Sequence, residues 1–302
     1  MLAACGSGSS AGSGTKTSNG AAAAPTHIVF AAVPSENNQD LANNYRNVIH
    51  DVERDLHVTV TFKTSTNYAG VVEGMRSGKI DVAGFGPLSY VIAQNQGAKI
   101  EPIAAEINVK GQKPGYYSYG ITSGKNTSIK SIDDFKGKKV CFVDPQSTSG
   151  YLYPLAGLIG AGIDPAKDIT PTYAGAHDRS VLSVANGSCD VGFAEDIFVD
   201  KTLLAAGQIH PGDVRKVWTS PQIPGSPVAV RSDFPASFKA SLKAEFAKFN
   251  VDYWVKEGEC TTGDTGCGPD GGIYGYAAAN DADYAVVRKV CATTKAPSCR
   301  KF

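Results

Sequence analysis

The chain has 302 residues, 42% hydrophobic and 9% aromatic, enough material for one large or two ordinary domains with packed cores. Lysine plus arginine equal aspartate plus glutamate at 29 each, so no overall field recruits nucleic acid or an anionic membrane surface. A charged partner must be met locally.

The first residues set the address. In "MLAAC", Leu2, Ala3 and Ala4 are the small apolar residues that precede Cys5 at the trimmed end of a lipoprotein signal, and Cys5 is the sulfur that takes the lipid. Residues 6–24 follow as a Gly/Ser/Ala run with nothing to bury. As a flexible coil they reach roughly 24 Å. Residues 1–25 thus read as a lipidation site and tether. The chain is expected outside the cytoplasm, anchored to the outer face of the cell membrane through that lipid alone.

The body alternates strands and helices. His27–Val33, Val58–Thr64, Ile80–Gly86 and Ile100–Ile107 are short β-branched or apolar runs, with the helical spacing of "LANNYRNVIHDVERDL", "YAGVVEGMRSGK" and "PLSYVIAQNQG" between them. Such alternation implies a mostly parallel sheet covered on both faces. After Tyr116–Ser123 the pattern restarts with "KKVCFVD", "ITPTYA", "DVGFAED" and "RKVWTSP", which makes a second sheet. The last segment has no strand series of its own. The reading is residues 26–119 as the first part of lobe 1, 120–228 as lobe 2, and 229–302 as a return to lobe 1 ending in a disulfide-clipped tail. Two crossing strands, near Tyr116–Ser123 and Pro227–Ser232, are expected to form a hinge with a cleft between the lobes.

With Cys5 set aside, six cysteines remain, and an even number outside the reducing cytosol suggests disulfides. Cys260 and Cys267 enclose "TTGDTG", and Cys291 and Cys299 enclose "ATTKAPS"; both loops need a clip. Cys141 and Cys189 are left, each at the start of a strand-like run. Other pairings stay open to sequence. No cysteine pair has zinc-ligand spacing, and no metal or cofactor is expected.

The chemistry gathers where strands hand over to helices. "DPQSTSGYLYP" puts Ser147, Thr148 and Ser149 after a buried strand, at the mouth of a helix. Helix-start N–H groups bind anions, and hydroxyls add neutral donors there. One hydroxyl suffices for capping, so two are left over. "AGAHDRS" places His177 at a second helix start, where it is expected to be an ionisable helper. "STNYAGVVEG" and "KPGYYSY" present Tyr68 and Tyr116.

Taken together, "TNYAGVVEGMRSGKIDVAGFGPLSYVIA", "PGYYSY", "DPQSTSGYLYP", "AGAHDRSVLSVANGSCDV" and "SPQIPGSP" resemble the phosphonate and phosphite solute-binding proteins of ABC importers, from about Val58 to Val230. The resemblance implies an α/β, two-lobed periplasmic binding protein type II fold, with two mixed sheets, helices on both faces and a two-strand hinge. It implies that Ser147, Thr148, Ser149, His177, Tyr68 and Tyr116 hold a phosphorus oxyanion, and that the partners are that ligand and the permease subunits. A monomer is expected, with no nucleic acid. Members that take aminoethylphosphonate resemble "IPGDP", and pair the ligand ammonium with that Asp and with an acid after the "DV" strand. This chain keeps Glu195 and Asp196 but has Ser226 in the loop. An ammonium buried with one partner is costly, so aminoethylphosphonate is not the expected preference. Either acid can accept the P–OH of a hydrogen phosphate or phosphonate, a donor that sulfate lacks.

Enzyme readings fare badly. Gly8–Gly12 matches G-x-S-x-G but lies in the tether; no phosphate-loop spacing and no HExxH occur. The rival reading is a secreted phosphoester hydrolase, with a hydroxyl of the Ser-Thr-Ser turn as nucleophile and His177 as base. A sensor subunit feeding a membrane kinase would share the same pocket.

Overall fold

The computed structural model describes residues 23–261, 267–268 and 272–300. Cys5, residues 6–22 of the tether and the tip of the loop between Cys260 and Cys267 lie outside the described residues. The first sheet grows from β1 (His27–Ala32), which pairs in parallel with β2 (Thr59–Lys63) on one side and β3 (Val82–Gly84) on the other. α1 (Asn38–Asn44), α2 (Arg46–Leu56), α3 (Tyr68–Arg76) and α4 (Pro87–Asn95) fill the connections, and β4 (Ile100–Ile107) completes this part of the chain. β2 is an edge strand: Thr59, Thr61 and Lys63 face solvent while Val60 and Phe62 turn inward.

"LANNYRNVIHDVERDL" reads as one helix but forms two. The break at Tyr45 drops its fully buried ring onto the sheet, 5.2 Å edge-on from Phe30 and 5.4 Å stacked on Phe62. Such aromatic pairs add about 0.5–1.5 kcal/mol each beyond the area they bury, which outweighs one interrupted helical turn.

The second sheet holds β5 (Ser118–Ser123), β6 (Lys139–Phe142), β7 (Thr170–Tyr173), β8 (Val191–Glu195) and β9 (Val214–Thr219), in the order β7-β6-β8-β5-β9. β6 runs parallel to β7 and β8, whereas β5 is antiparallel to both β8 and β9. α5 (Tyr153–Gly160), α6 (His177–Ala185) and the single turn α7 (Leu203–Ala205) connect them. Cys141, within β6, is bonded to Cys189, in the turn before β8 rather than on the strand itself.

The chain crosses between the sheets twice, and the crossing stretches are shorter than the sequence suggested. Ser118–Ser123 already belongs to the second sheet. β10 (Pro227–Arg231) lies inside the first sheet, antiparallel between β3 and β4. The crossings themselves are tied together by Tyr116 N–H to Ile223 O at 3.1 Å and Ile223 N–H to Tyr116 O at 2.9 Å. Both sheets are therefore mixed rather than mostly parallel, because each incoming crossing strand enters against the local direction.

α8 (Ala236–Phe246), α9 (Val251–Lys256) and β11 (Gly275–Ala277) complete the first lobe. β11 pairs antiparallel with β4, and fully buried Trp254 donates its Nε1–H to Asp51 at 2.9 Å. α10 (Ala285–Thr294) does more than return to that lobe: it lies against α4 on one side and α5 on the other. Tyr284 anchors its start, packing 5.1 Å from Tyr90 and donating its hydroxyl to Gly225 O in the second crossing at 3.2 Å. Cys291–Cys299 folds the tail back, and Cys260–Cys267 closes the other clip.

Candidate ligand site between the lobes

The Ser-Thr-Ser turn begins where β6 ends. Ser147 is the capping residue, with an extended backbone and its Oγ accepting Gly150 N–H at 3.0 Å. Thr148–Leu152 then winds as a wide π turn before α5, with Leu152 N–H bonded to Ser147 O at 3.1 Å. Pro154 follows and has no N–H, so the Gly150 carbonyl cannot receive the ordinary helical bond at that point. Gly150 is required, since a Cβ there would run into Val143. The Ser118 hydroxyl donates to Ser149 O at 2.6 Å and fixes the turn from β5.

Two of the ambivalent groups, Thr148 and His177, have an acceptor position used from behind. Thr148 Oγ1 accepts Leu88 N–H at 2.8 Å, from the start of α4 in the other lobe. His177 Nδ1 accepts Glu195 N–H at 2.9 Å, which places the ring proton on Nε2, and the ring stacks 5.3 Å from Phe198. What the imidazole then offers a ligand is N–H, and the Thr148 hydroxyl, also hydrogen-bonded with Tyr116, is a rotor that can turn its O–H to an oxyanion. This is the arrangement an oxyanion needs.

Burial lowers the His177 pKa from 6.5 to about 3. It is a neutral donor, which corrects the expectation of an ionisable helper: burial takes water from the ring and disfavours its charged form. The same geometry opposes the hydrolase alternative, because neither ring nitrogen is left to take a proton from a hydroxyl. A depressed pKa means that the His177 contribution to stability is full above pH 6.5 and is lost as pH falls toward 3. Asp196, raised by burial to about 6, acts in the opposite sense, its contribution fading as pH rises through that value. The difference between wild type and His177→Gln isolates the first effect. In urea titrations it should grow in favour of wild type from pH 4 to 6.5, at up to about 1.4 kcal/mol per pH unit. Parallel curves would contradict a buried neutral imidazole.

The structure brings most of the candidate residues together. Tyr68, Tyr116, Ser147, Thr148, Ser149 and His177 are each no more than 3% exposed. The Tyr116 hydroxyl is hydrogen-bonded with those of Thr148 and Ser226, near Tyr68 and Glu195, and burial raises it well above the usual phenol range. Glu195 ends β8, is 7% exposed and takes Asn108 Nδ2–H at 3.1 Å across the lobes. Asp196 is not brought into this group. Its own amide N–H bonds Tyr117 O at 3.0 Å, and its carboxylate accepts Ile197 N–H at 3.1 Å in the field of Asp200. Sequence reasoning missed Asn108, Leu88 and Ser118. A polar residue directly after the apolar β4 run is the signal that could have found Asn108; Leu88 acts through its backbone and leaves none.

Among the described residues one cluster has metal-ligand chemistry, His50, Asp51 and Glu259. Arg54 already lies 2.8 Å from Asp51 and 3.2 Å from Glu259, so the cation there is a guanidinium. Hollows of about 580 Å³ and 480 Å³ flank α10 and are lined mainly by apolar side chains such as Phe142, Leu155 and Trp218; neither includes the hydroxyl cluster. No described helix is long and apolar enough to cross a membrane.

The family model for the phosphonate periplasmic substrate-binding protein of ABC transporters matches residues 30–284. The chain belongs to that family. It is 43% identical over 284 residues to the phosphate-import protein PhnD of Mycolicibacterium smegmatis, covering 91% of this chain and 88% of the relative. It is 29% identical over 224 residues to the phosphonates-binding periplasmic protein of Escherichia coli, covering 73% and 65%. The fold matches a Prochlorococcus marinus PhnD1 structure in complex with methylphosphonate at TM-score 0.75 and 20% identity, over 90% of this chain and 99% of that one. The two-lobed periplasmic binding protein type II architecture expected from sequence is therefore the observed one. Membership makes the chain an extracytoplasmic substrate-binding protein of an ABC importer, and its relatives are binding proteins rather than enzymes.

Proposed function

We propose that the chain captures a small phosphorus oxyanion outside the cytoplasm, as a monomer held to the membrane by a lipid on Cys5, and presents it to its permease. Phosphate, phosphite and a small alkylphosphonate fit this reading. The observation that carries it is the donor set: Thr148 Oγ1 takes Leu88 N–H from the other lobe, and His177 Nδ1 takes Glu195 N–H, which leaves its Nε2 as a donor. Thr148, Ser149, the His177 Nε2–H and the phenols of Tyr68 and Tyr116 grip the oxygens, while Ser147 caps the turn. Of the two acids first considered, Glu195 rather than Asp196 stands beside this group. It accepts the ligand P–OH and disfavours sulfate, which has no such proton. Opening of the lobes releases the ligand, since the site residues are sealed from water when closed.

Ser226 supports a compact ligand. Its hydroxyl is hydrogen-bonded with that of Tyr116 and carries no charge with which to meet an ammonium. The relative that shares 43% identity is named for phosphate import, which agrees with that reading. Titration calorimetry with phosphate, phosphite, methylphosphonate, aminoethylphosphonate and sulfate tests it. The first three should bind and sulfate should not, with aminoethylphosphonate weaker than methylphosphonate. Ser226→Asp should shift the ratio of the last two phosphonates toward the amine by about tenfold, the value of one charged hydrogen bond. Tightest binding of aminoethylphosphonate by the wild type would overturn the role given to Ser226.

A further inference from the structure

Two acids stand where an anion receptor should not want them. Asp144 lies three residues before Ser147, Asp178 adjoins His177, and both are at most 9% exposed. Aimed at the ligand, either would repel it. Their hydrogen bonds show where they point instead. The Asp144 carboxylate accepts Gln146 N–H at 2.8 Å and the backbone N–H of Tyr68, the first residue of α3 in the other lobe. The Asp178 carboxylate accepts Arg179 N–H at 2.7 Å and the backbone N–H of Asn37, the residue that caps α1 of the other lobe. Between them, Thr148 takes Leu88 N–H from the start of α4, and His177 N–H returns a bond to Ser35 O at 2.8 Å.

We propose that Asp144 and Asp178 are closure latches, positioning residues of lobe 2 that fill the helix-start N–H groups of lobe 1 when the lobes meet. The physical need is plain. Closing brings the helix starts of both lobes face to face, and every N–H that loses water must find an acceptor. One small anion cannot satisfy them all. The acids take the amides of lobe 1, which leaves the ligand to the hydroxyls, the phenols and His177. Because the latches form only in the closed state, they slow escape without guiding capture. Desolvation raises both carboxyls, so the amide isostere, which accepts the same N–H without a buried charge, is the informative variant.

The inference rests on the proposed oxyanion reading for its kinetic test, which uses inorganic phosphate in stopped flow. Asp144→Ala and Asp178→Ala should each raise the dissociation rate by about tenfold while the association rate holds within about twofold; Asp144→Asn and Asp178→Asn should stay near wild type. Unchanged dissociation in the alanine variants overturns the latch, as does an association rate that falls in step or a melting temperature of the empty protein that drops alike for Ala and Asn. Amide hydrogen exchange on the closed, phosphate-saturated protein gives a readout separate from the rates: loss of protection at Tyr68 and Asn37 in the alanine variants sustains the latch, and unchanged protection rejects it. If wild type ignores phosphate, phosphite and methylphosphonate, the oxyanion reading falls, and the same exchange comparison with aminoethylphosphonate or sulfate, whichever binds, decides the latch.

Discussion

Replacing Thr148 and Ser149 together by alanine should weaken phosphate or phosphite binding by roughly 10²–10⁴-fold, with the melting temperature of the empty protein moved by no more than about 2 °C. Each hydroxyl that donates to a charged ligand contributes about 1.5–3 kcal/mol, and two are removed. The fold is spared because Ser147, not Thr148 or Ser149, accepts Gly150 N–H and caps the turn. Thr148 also takes Leu88 N–H, but that bond joins the lobes and belongs to the closed state. If the hydroxyls served only the helix start, the variant would lose about 1 kcal/mol of stability and keep its affinity. Calorimetry and a thermal melt on the same preparation separate the two.

The second large effect falls on stability. Cys141 and Cys189 are 48 residues apart, and the loop they close contains the Ser-Thr-Ser turn and His177. Removing both sulfurs as Cys141→Ala with Cys189→Ala should lower the unfolding free energy by about 4 kcal/mol, through the larger freedom of the open loop in the unfolded chain. Both sites are buried, so a further loss from the vacated volume adds to it. Molecules that remain folded should bind phosphate with near-normal affinity, because none of the donors is touched. Urea unfolding of the oxidised proteins checks this. A loss below about 1 kcal/mol would mean that the unfolded loop is already held by other contacts.

Much of this was written in the chain because the physics concerned is local. The apolar runs that became β1, β3 and β4 alternate with helical spacing, and hydroxyls or an imidazole stand at the junctions where helix-start amides collect. Ser147–Ser149, His177, Tyr68 and Tyr116 could be read from those junctions. What sequence does not carry is which face of a local element finds a distant one. The break at Tyr45 follows from its ring finding Phe30 and Phe62, and nothing in "NNYRN" announces it. β10 looks like any short strand; its antiparallel setting is a property of the second crossing. α10 was expected in one lobe because its apolar face is legible, whereas its contact with both α4 and α5 is not. The neutrality of His177 likewise depends on burial and on an amide 18 residues away. The choice of Glu195 over Asp196 turned on Asn108, which touches neither in sequence.

The central claim is that neutral donors at two helix starts of one lobe, covered by the other lobe, hold a tetrahedral anion. A crystal structure of the wild-type protein grown with phosphate tests it most directly. The account predicts one phosphate between the lobes, with oxygens about 2.7–3.0 Å from Thr148 Oγ1, Ser149 Oγ and His177 Nε2, and with Glu195 accepting its remaining proton. A saturated protein whose phosphate lies elsewhere, with these side chains packed against a dry interior, would contradict it.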